Sequence, residues 1–262
     1  MIDGAIHVWD PNQNSPGHSA RELLSTLDAA GVHGAVCIHS RRDSGYDHGC
    51  TARAIRDHPD RLTGVCVVPP ASPTAPQELR AFVDRGFKGV RILPWSDRDG
   101  TPWLDGPDGD PLWDEAARLG VPVDVILRPE QLEQVRARAV RSPDATMIID
   151  HMALIGADDP ADRLDLLVSC AELPNVVCKM SSLMHASRED FPHRDIHHLL
   201  RAVVDAYGPG RVIYGSDWPN MLGTFPYDYA IRTIDEALGL GAHEREQLFG
   251  GTAARVWKIA QS

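Results

Sequence analysis

The chain has 262 residues, 43% of them hydrophobic and 24% charged, which is usual for a soluble globular protein. Its formal net charge of −11, with no basic stripe, argues against nucleic-acid binding and against docking on an anionic membrane surface. No apolar run approaches the roughly 20 residues of a membrane span, and we expect no signal peptide. Because the five cysteines show no framework spacing, we expect a reducing compartment and a cytoplasmic protein.

Short β-branched runs alternate along the chain with segments of helical spacing. The runs predict eight strands, at 2–9, 34–39, 63–69, 87–93, 121–127, 146–151, 175–181 and 211–217. A capping box, Ser19 to Glu22, opens the first helix, which Gly31 ends. Further helices are predicted from Thr74 to near Gly86 and at 111–119, 129–140, 160–171, 195–207, 227–238 and 243–259.

The spacing of these elements predicts an α/β fold. Successive strand ends are about 30 residues apart, the length of a βαβ unit. Eight such units predict a (β/α)8 TIM barrel, formed as a single domain by residues 1–262. A doubly wound open sheet is the alternative, but the first turn, 9–15, lacks GxGxxG. The Asp-, Gly- and Pro-rich stretch 94–111 is a candidate lid over the barrel mouth.

Polar side chains end most of the predicted strands, where barrel enzymes carry their active sites. They are His7 and Trp9, His39, Arg91, Arg128, Asp150 and His151, Lys179 and Ser181, and Asp217. A buried charge without a partner is costly, so the convergence of these groups predicts a functional site.

Each residue also has a purely structural interpretation. His7 could be a core imidazole, and Asp217 could cap the turn that follows it. Alternation along a strand predicts that Asp150 and His151 face opposite sides, which leaves Asp150 a structural role. Lys179 is expected to pair with a carboxylate, and Arg91 needs an anion from the protein or from a substrate. We expect most of the other histidines, including His48 and His193, at the surface.

Six segments resemble one known family. They are 2–10 (IDGAIHVWD), 87–93 (FKGVRIL), 149–152 (IDHM), 175–181 (NVVCKMS), 212–219 (VIYGSDWP) and 248–255 (LFGGTAAR). Together they resemble the amidohydrolase superfamily, in its amidohydrolase 2 branch, over essentially the whole chain. Sugar lactonases, 2-pyrone-4,6-dicarboxylate lactonase and sulfomuconolactone hydrolase belong to that branch, and more distant relatives are decarboxylases.

The first strand departs from the family pattern. The family usually has His-x-His there, but this chain has Ala5 before His7, and strand 5 lacks a histidine. Alanine cannot ligate a metal. The resemblance therefore leaves His7, His151 and Asp217 as the ligands if zinc or manganese is bound. We expect no cofactor and no tight metal binding.

The lactonases of this branch also suggest roles for individual residues. By resemblance, Asp217 is the general base for water, and His7 and His151 polarise the lactone carbonyl. Arg91 binds a substrate carboxylate. The other expected substrate-binding residues are Arg128, His39, Trp9 and Lys179.

The expected function is metal-independent hydrolysis of a small, carboxylated cyclic ester. One alternative is a metal-dependent hydrolase or decarboxylase with a reduced ligand set. Another is a barrel without hydrolytic activity, such as a lactone isomerase, a cyclase-type enzyme or a binding protein. The expected partner is a small-molecule substrate, with no nucleic acid and no membrane, and a homo-oligomer is left open.

Overall fold

The computed structural model describes residues 1–11, 17–70, 72–93, 104–221 and 225–260. Eight strands form one parallel sheet in the order β1 to β8. Their bounds are β1 Ile2–Ile6, β2 Gly34–Ile38, β3 Leu62–Val67, β4 Phe87–Ile92, β5 Val123–Val125, β6 Met147–Ile149, β7 Val176–Ser181 and β8 Val212–Gly215. The predicted (β/α)8 barrel is confirmed, whereas its treatment as a single domain stays a prediction.

Helices follow the strands as the alternating pattern predicts. They are α1 Ala20–Ala29, α2 Arg41–Ser44, α3 Gly49–Asp57, α4 Ala75–Asp84, α5 Asp110–Leu119, α6 Leu132–Arg141, α7 Ala161–Ser169, α8 Leu183–Ala186, α9 His197–Tyr207, α10 Tyr229–Leu238, α11 Ala242–Glu246 and α12 Thr252–Val256. Helix α3 was not predicted, because its buried face, Thr51, Ala54 and Ile55, holds one large apolar residue. The predicted helix 243–259 is interrupted between α11 and α12 by a wide turn, Gln247–Gly251.

The barrel closes where β1 meets the residues after β8. The amide of Asp217 donates to the carbonyl of Ala5 (2.9 Å), and the amide of His7 donates to the carbonyl of Trp218 (2.8 Å). Gly4 permits the close approach, since a Cβ there would lie 2.3 Å from Cγ2 of Ile213. These contacts bring the end of β1 beside the end of β8.

A buried carboxylate holds this seam together. Oδ1 of Asp3 accepts hydrogen bonds from the amides of Ala5 (3.1 Å) and Ser216 (2.9 Å), and Oδ2 accepts one from the hydroxyl of Tyr227 (2.6 Å). Burial raises the pKa of Asp3, while the hydrogen bonds from Ser216 and Tyr227 act in the opposite direction. Asp3 therefore fixes the backbone immediately before Asp217.

The core lies in two layers. The larger layer fills the space between the sheet and the surrounding helices. A smaller one fills the lower barrel and consists of Ile2, Ala5, Val36, Ile38, Val65, Ile148, Val177 and Ile213 with Ala253, Ala254, Val256 and Trp257. Residues of and just after α12 thus close the barrel floor, which leaves the opposite end, at the carboxyl ends of the strands, for a site.

The candidate lid, 94–111, lies largely outside the described residues. Its described end is tied to α6, because buried Arg138 donates from Nε to the carbonyl of Leu104 (2.7 Å) and from Nη1 to Oδ1 of Asp110 (2.5 Å). The lid itself stays a prediction.

Two further findings bear on the class of protein. Within the described residues, no helix is long and apolar enough to cross a bilayer. All five cysteines are described, and all are free thiols. The compartment stays a prediction.

The Asp3 contacts generate a stability prediction. Asp3→Ala should lower the free energy of unfolding by about 2–4 kcal/mol, because it leaves the buried Ser216 amide and Tyr227 hydroxyl without their acceptor. Denaturant unfolding followed by circular dichroism measures this. Asp60→Ala, at an exposed carboxylate, is the matched control and should change it by less than about 0.5 kcal/mol. Equal stability of the two variants would show that Asp3 does not hold the seam.

Candidate active site

Three of the predicted residues gather at the barrel mouth. His7 follows β1, His151 follows β6 and Asp217 follows β8, and all three are buried. Nε2 of His7 lies 3.2 Å from Oδ1 of Asp217. His151 is close enough to act electrostatically on the Asp217 carboxyl. The structure thus brings together the residues expected to carry the chemistry.

The backbone leaves the barrel strands in an unusual conformation. His151, Ser182 and Asp217, just beyond β6, β7 and β8, have φ of 50°, 59° and 62°. After β6 the left-handed conformation continues through Leu154. Left-handed backbone costs about 1–2 kcal/mol for each residue with a Cβ, so packing must hold these turns in place.

This turn corrects the prediction that Asp150 and His151 face opposite sides. β6 ends at Ile149, so alternation no longer applies, and Nε2 of His151 lies 3.2 Å from Oδ2 of Asp150. The expected structural role of Asp150 stays a prediction, and its carboxylate is directly next to the His151 ring.

Asp217 accepts three hydrogen bonds. Oδ1 accepts from Nε2 of His7 (3.2 Å) and from Nδ2 of Asn220 (3.1 Å), and Oδ2 accepts from the hydroxyl of Ser182 (2.9 Å). Burial alone raises the pKa of this carboxyl, but the electrostatic influence of the nearby His151 ring and the hydrogen bonds from His7 and Asn220 outweigh burial and bring the pKa below its usual range. Asp217 is therefore an ionised, buried carboxylate.

The hydrogen bonds of His7 determine its protons. Its Nδ1 lies 2.8 Å from the carbonyl oxygen of Ile38, which can only accept, so Nδ1 carries a proton. Its Nε2 lies on the other side of the ring, against Oδ1 of Asp217. His7 thus bridges the end of β2 and the Asp217 carboxylate.

His151 is a neutral imidazole at neutral pH, because burial lowers its pKa more than the nearby Asp150 and Asp217 raise it. Its Nδ1 lies 2.8 Å from the hydroxyl of Ser181. The carboxylate of Asp150 near Nε2 favours the tautomer with the proton on Nε2. Nδ1 then accepts from Ser181, and Nε2–H is the donor of the ring.

Arg91 and Lys179 belong to a buried charge cluster with Asp124 and Asp150. Nη2 of Arg91 contacts Oδ2 of Asp124 at 3.2 Å and also bonds Asp150. Nζ of Lys179 lies 2.7 Å from Asp124 and 3.0 Å from Asp150. The two positive and two negative formal charges of this cluster cancel. The substrate-binding roles predicted for Arg91 and Lys179 stay predictions, and both side chains already hold protein anions.

The other predicted binding residues line the mouth in different ways. His39 is buried; its Nε2 donates to the carbonyl of Gly45 (2.9 Å), and burial lowers its pKa to about 4. Trp9 is buried, with its ring edge-on to His18 at 5.2 Å between ring centres. Arg128 lies exposed beyond β5.

Two histidines expected at the surface are buried. His48 stacks on His39 at 3.8 Å between ring centres, and its Nε2 accepts from the amide of Val67 (3.0 Å). His193 is 2% exposed. The surface prediction was wrong for these two because their ring nitrogens find backbone partners inside the fold, which loop sequence alone does not reveal.

Several site residues were missed from the sequence. Ser182 and Asn220 bind Asp217, and Asp124 completes the charge cluster. Asp124 carried a usable signal, since it is an acidic residue inside an apolar strand and pairs in register with Arg91 on β4. Ser182 carried no such signal, because its role depends on a left-handed backbone.

The family model described as amidohydrolase matches residues 2–259 of this chain. The chain belongs to the amidohydrolase family. A hydrolase of this family was expected, and the match confirms that expectation. The fold is shared with a zinc-bound amidohydrolase from Burkholderia multivorans, which superimposes with a TM-score of 0.82 over 99% of both chains, at 23% identity.

Two curated relatives are named lactone hydrolases. An L-fucono-1,5-lactonase from Burkholderia multivorans is 34% identical over 152 residues, which are 53% of this chain and 51% of that protein. A 4-sulfomuconolactone hydrolase from Rhizobium radiobacter is 24% identical over 230 residues, 83% of this chain and 75% of that protein. The match thus spans about half the length of the first relative.

The residues at the mouth do not fit a resident metal ion. Among the described residues, no group of three or more His, Cys, Asp or Glu side chains is arranged to hold one. Ala5 occupies the position of the first histidine in His-x-His, and its Cβ packs against Gly215. His7 and Asp217, two of the three candidate ligands, are bound to each other.

The left-handed backbone at Ser182 gives a prediction on stability. Ser182→Gly and Ser182→Ala both lose the hydroxyl that binds Asp217, but only glycine adopts φ near 59° without strain. The glycine variant should therefore be about 1 kcal/mol more stable than the alanine variant. Thermal unfolding of the two proteins measures the difference, and an alanine variant as stable as the glycine one would contradict it.

Proposed function

We propose that this protein is a lactonase that hydrolyses the ester bond of a small lactone, with Asp217 as the general base. The observation that carries the proposal is the ionised, buried Asp217 carboxylate between two imidazoles at the barrel mouth. The relatives named L-fucono-1,5-lactonase and 4-sulfomuconolactone hydrolase support a cyclic ester as the substrate.

The hydrogen bonds from described residues leave one acceptor position of Asp217 for a water molecule. An ionised carboxylate offers about four acceptor positions. His7 and Asn220 occupy those of Oδ1, and Ser182 occupies one on Oδ2. The remaining position on Oδ2 is where an attacking water would donate its proton.

The reaction then proceeds in two steps. The water oxygen attacks the lactone carbonyl carbon while Oδ2 of Asp217 takes one of the water protons, which gives a tetrahedral oxyanion. The ring C–O bond breaks as the oxyanion collapses, and the alkoxide leaving group takes the proton back from Asp217. The product is a hydroxy acid, and the enzyme is regenerated.

The two imidazoles have different roles. We assign the Nε2–H of neutral His151 as the donor to the developing oxyanion, while His7, whose ring nitrogens already bind the Ile38 carbonyl and Asp217, holds the base in place beside it. One well-aimed donor of this kind contributes about 3 kcal/mol to transition-state stabilisation. A lactone is an activated ester, so it needs less electrophilic assistance than an amide.

We propose that hydrolysis proceeds without a resident metal ion. The support is the contact between two of the candidate ligands, since Nε2 of His7 lies 3.2 Å from Oδ1 of Asp217 and the two side chains are bound to each other. Ala5 removes a further ligand. Trp9, His39 and Arg128 form the walls of the mouth, and Arg91 and Lys179 act with Asp124 and Asp150 to orient His151.

Substitution of the base tests the proposal. Asp217→Asn should lower kcat for lactone hydrolysis about a hundredfold to ten-thousandfold, because the amide cannot accept a proton from water. The measurement is acid release across a panel of five- and six-membered lactones, with product mass confirming the addition of one water. Asp60→Asn, at an exposed carboxylate, is the control and should match the native protein. Near-native hydrolysis by Asp217→Asn would exclude Asp217 as the base.

Metal content tests the second part of the proposal. Elemental mass spectrometry of the unchelated protein should find far less than one equivalent of zinc or manganese, and dialysis against a chelator should leave the hydrolysis rate unchanged. One equivalent of metal together with loss of activity on chelation would instead assign His7, His151 and Asp217 as ligands. That result would favour the metal-dependent alternative, in which decarboxylation is detected as loss of carbon dioxide.

A further inference from the structure

An exposed arginine at the mouth is connected to the proposed base through one side chain. Nη2 of Arg42, on α2, donates to Oδ1 of Asn220 (2.9 Å), and Nδ2 of Asn220 donates to Oδ1 of Asp217 (3.1 Å). Only one orientation of the Asn220 amide satisfies both neighbours, because the arginine can only donate and the carboxylate can only accept. The guanidinium is thus fixed at a defined place relative to Asp217.

Among the described residues inside the mouth, no cation is left for a substrate anion. In the buried charge cluster, Arg91 and Lys179 each bind both Asp124 and Asp150. The ring of His7 is bound to Asp217 through Nε2 and to the Ile38 carbonyl through Nδ1. An anionic substrate group placed among these side chains would face three carboxylates at close range, in a protein whose formal net charge is already −11.

Arg42 does have donors to offer. Its side chain is 71% exposed, and the contact of its Nε with Asp43 is long, at 3.4 Å. The Asp43 side chain is only 9% exposed, but the contact is too long for a strong hydrogen bond, so a substrate carboxylate can compete for the guanidinium. A guanidinium presents planar pairs of N–H groups that match a carboxylate in a bidentate manner.

The distance between Arg42 and Asp217 suits a small ligand. The two hydrogen bonds and the width of one amide group place Nη2 of Arg42 no more than about 8 Å from Oδ1 of Asp217. A lactone ring that bears one carboxylate spans this distance, with its carbonyl carbon near Asp217 and its carboxylate near Arg42.

We propose that Arg42 is a specificity-determining residue that binds a carboxylate on the substrate, and that Asn220 sets its position relative to Asp217. This inference rests on the proposed lactonase function and defines its substrate class as carboxylated lactones. The carboxylate lies at the outer rim of the mouth, between α2 and the segment after β8.

The test compares two lactones that differ in one group. D-Glucaro-1,4-lactone carries a carboxylate where D-glucono-1,4-lactone carries a hydroxymethyl group. The native protein should prefer the acid lactone. Arg42→Gln should reduce that preference in kcat/KM by about tenfold to a hundredfold, mainly through KM of the acid lactone, and Arg42→Lys should restore part of it.

The matched control is Arg56→Gln. Arg56 lies on α3, is 69% exposed and contacts the neighbouring Asp57, as Arg42 contacts Asp43. The substitution Arg56→Gln removes one positive charge at a position distant from the mouth, so it should leave the preference for the acid lactone unchanged. An unchanged preference in Arg42→Gln, or a larger effect from Arg128→Gln, would overturn the inference while lactone hydrolysis itself stands.

Binding keeps the inference testable if neither lactone is hydrolysed. Isothermal titration should show that the native protein binds D-glucarate, and that Arg42→Gln weakens this binding at least tenfold relative to Arg56→Gln. Equal binding by both variants, or no binding by the native protein, would overturn the role of Arg42. Loss of binding in Arg42→Gln without hydrolysis by the native protein would support the anion site and count against the lactonase proposal.

Discussion

Closure of the barrel between β1 and the residues after β8 is the constraint on which the site depends. His7 and Asp217 are 210 positions apart in sequence, and backbone bonds across this seam bring their side chains to 3.2 Å. The buried carboxylate of Asp3 strengthens the seam by binding the amide of Ser216, directly before Asp217. The same few contacts therefore close the fold and assemble the proposed acid–base pair.

Charge compensation is the second organising feature of the barrel interior. A buried ion pair of this kind adds little net stability because desolvation offsets the attraction, whereas removal of one partner is strongly destabilising. The buried charge cluster is arranged so that Asp150 contacts both cations and His151. The cluster therefore fixes the orientation of the His151 imidazole at the barrel mouth, through the carboxylate of Asp150.

The fold and the positions of several candidate site residues could be predicted from the sequence. Eight β-branched runs at regular spacing predict the barrel, and polar residues at strand ends predict His7, His151 and Asp217, because barrel enzymes carry their sites at the carboxyl ends of the strands. Side-chain direction was predicted from the period of two along a strand. This rule failed after Ile149, where the left-handed turn moves His151 next to Asp150. Backbone in that region is set by packing, which the local sequence does not record.

The hydrogen-bond and ion-pair partners of the site residues were harder to predict than the positions of these residues in the fold. Arg91 was correctly expected to need an anion, but the sequence could not decide between a substrate and Asp124 on the adjacent strand. His48 resembled a loop residue until β3 supplied the Val67 amide. Arg42 and Asn220 are 178 positions apart in the sequence, and only barrel closure makes them neighbours.

The seam also governs how the chain can fold as it is made. β2 to β7 find both neighbours among consecutive strands, but β1 must wait for β8, which ends at Gly215. At translation rates of about 5–20 residues per second, that delay is roughly 10–40 seconds. Any parallel sheet formed in this time has two unpaired edges, and unpaired edges favour association with other chains. The contacts of Asp3 and the close approach at Gly4 complete the barrel only after β8 has been made.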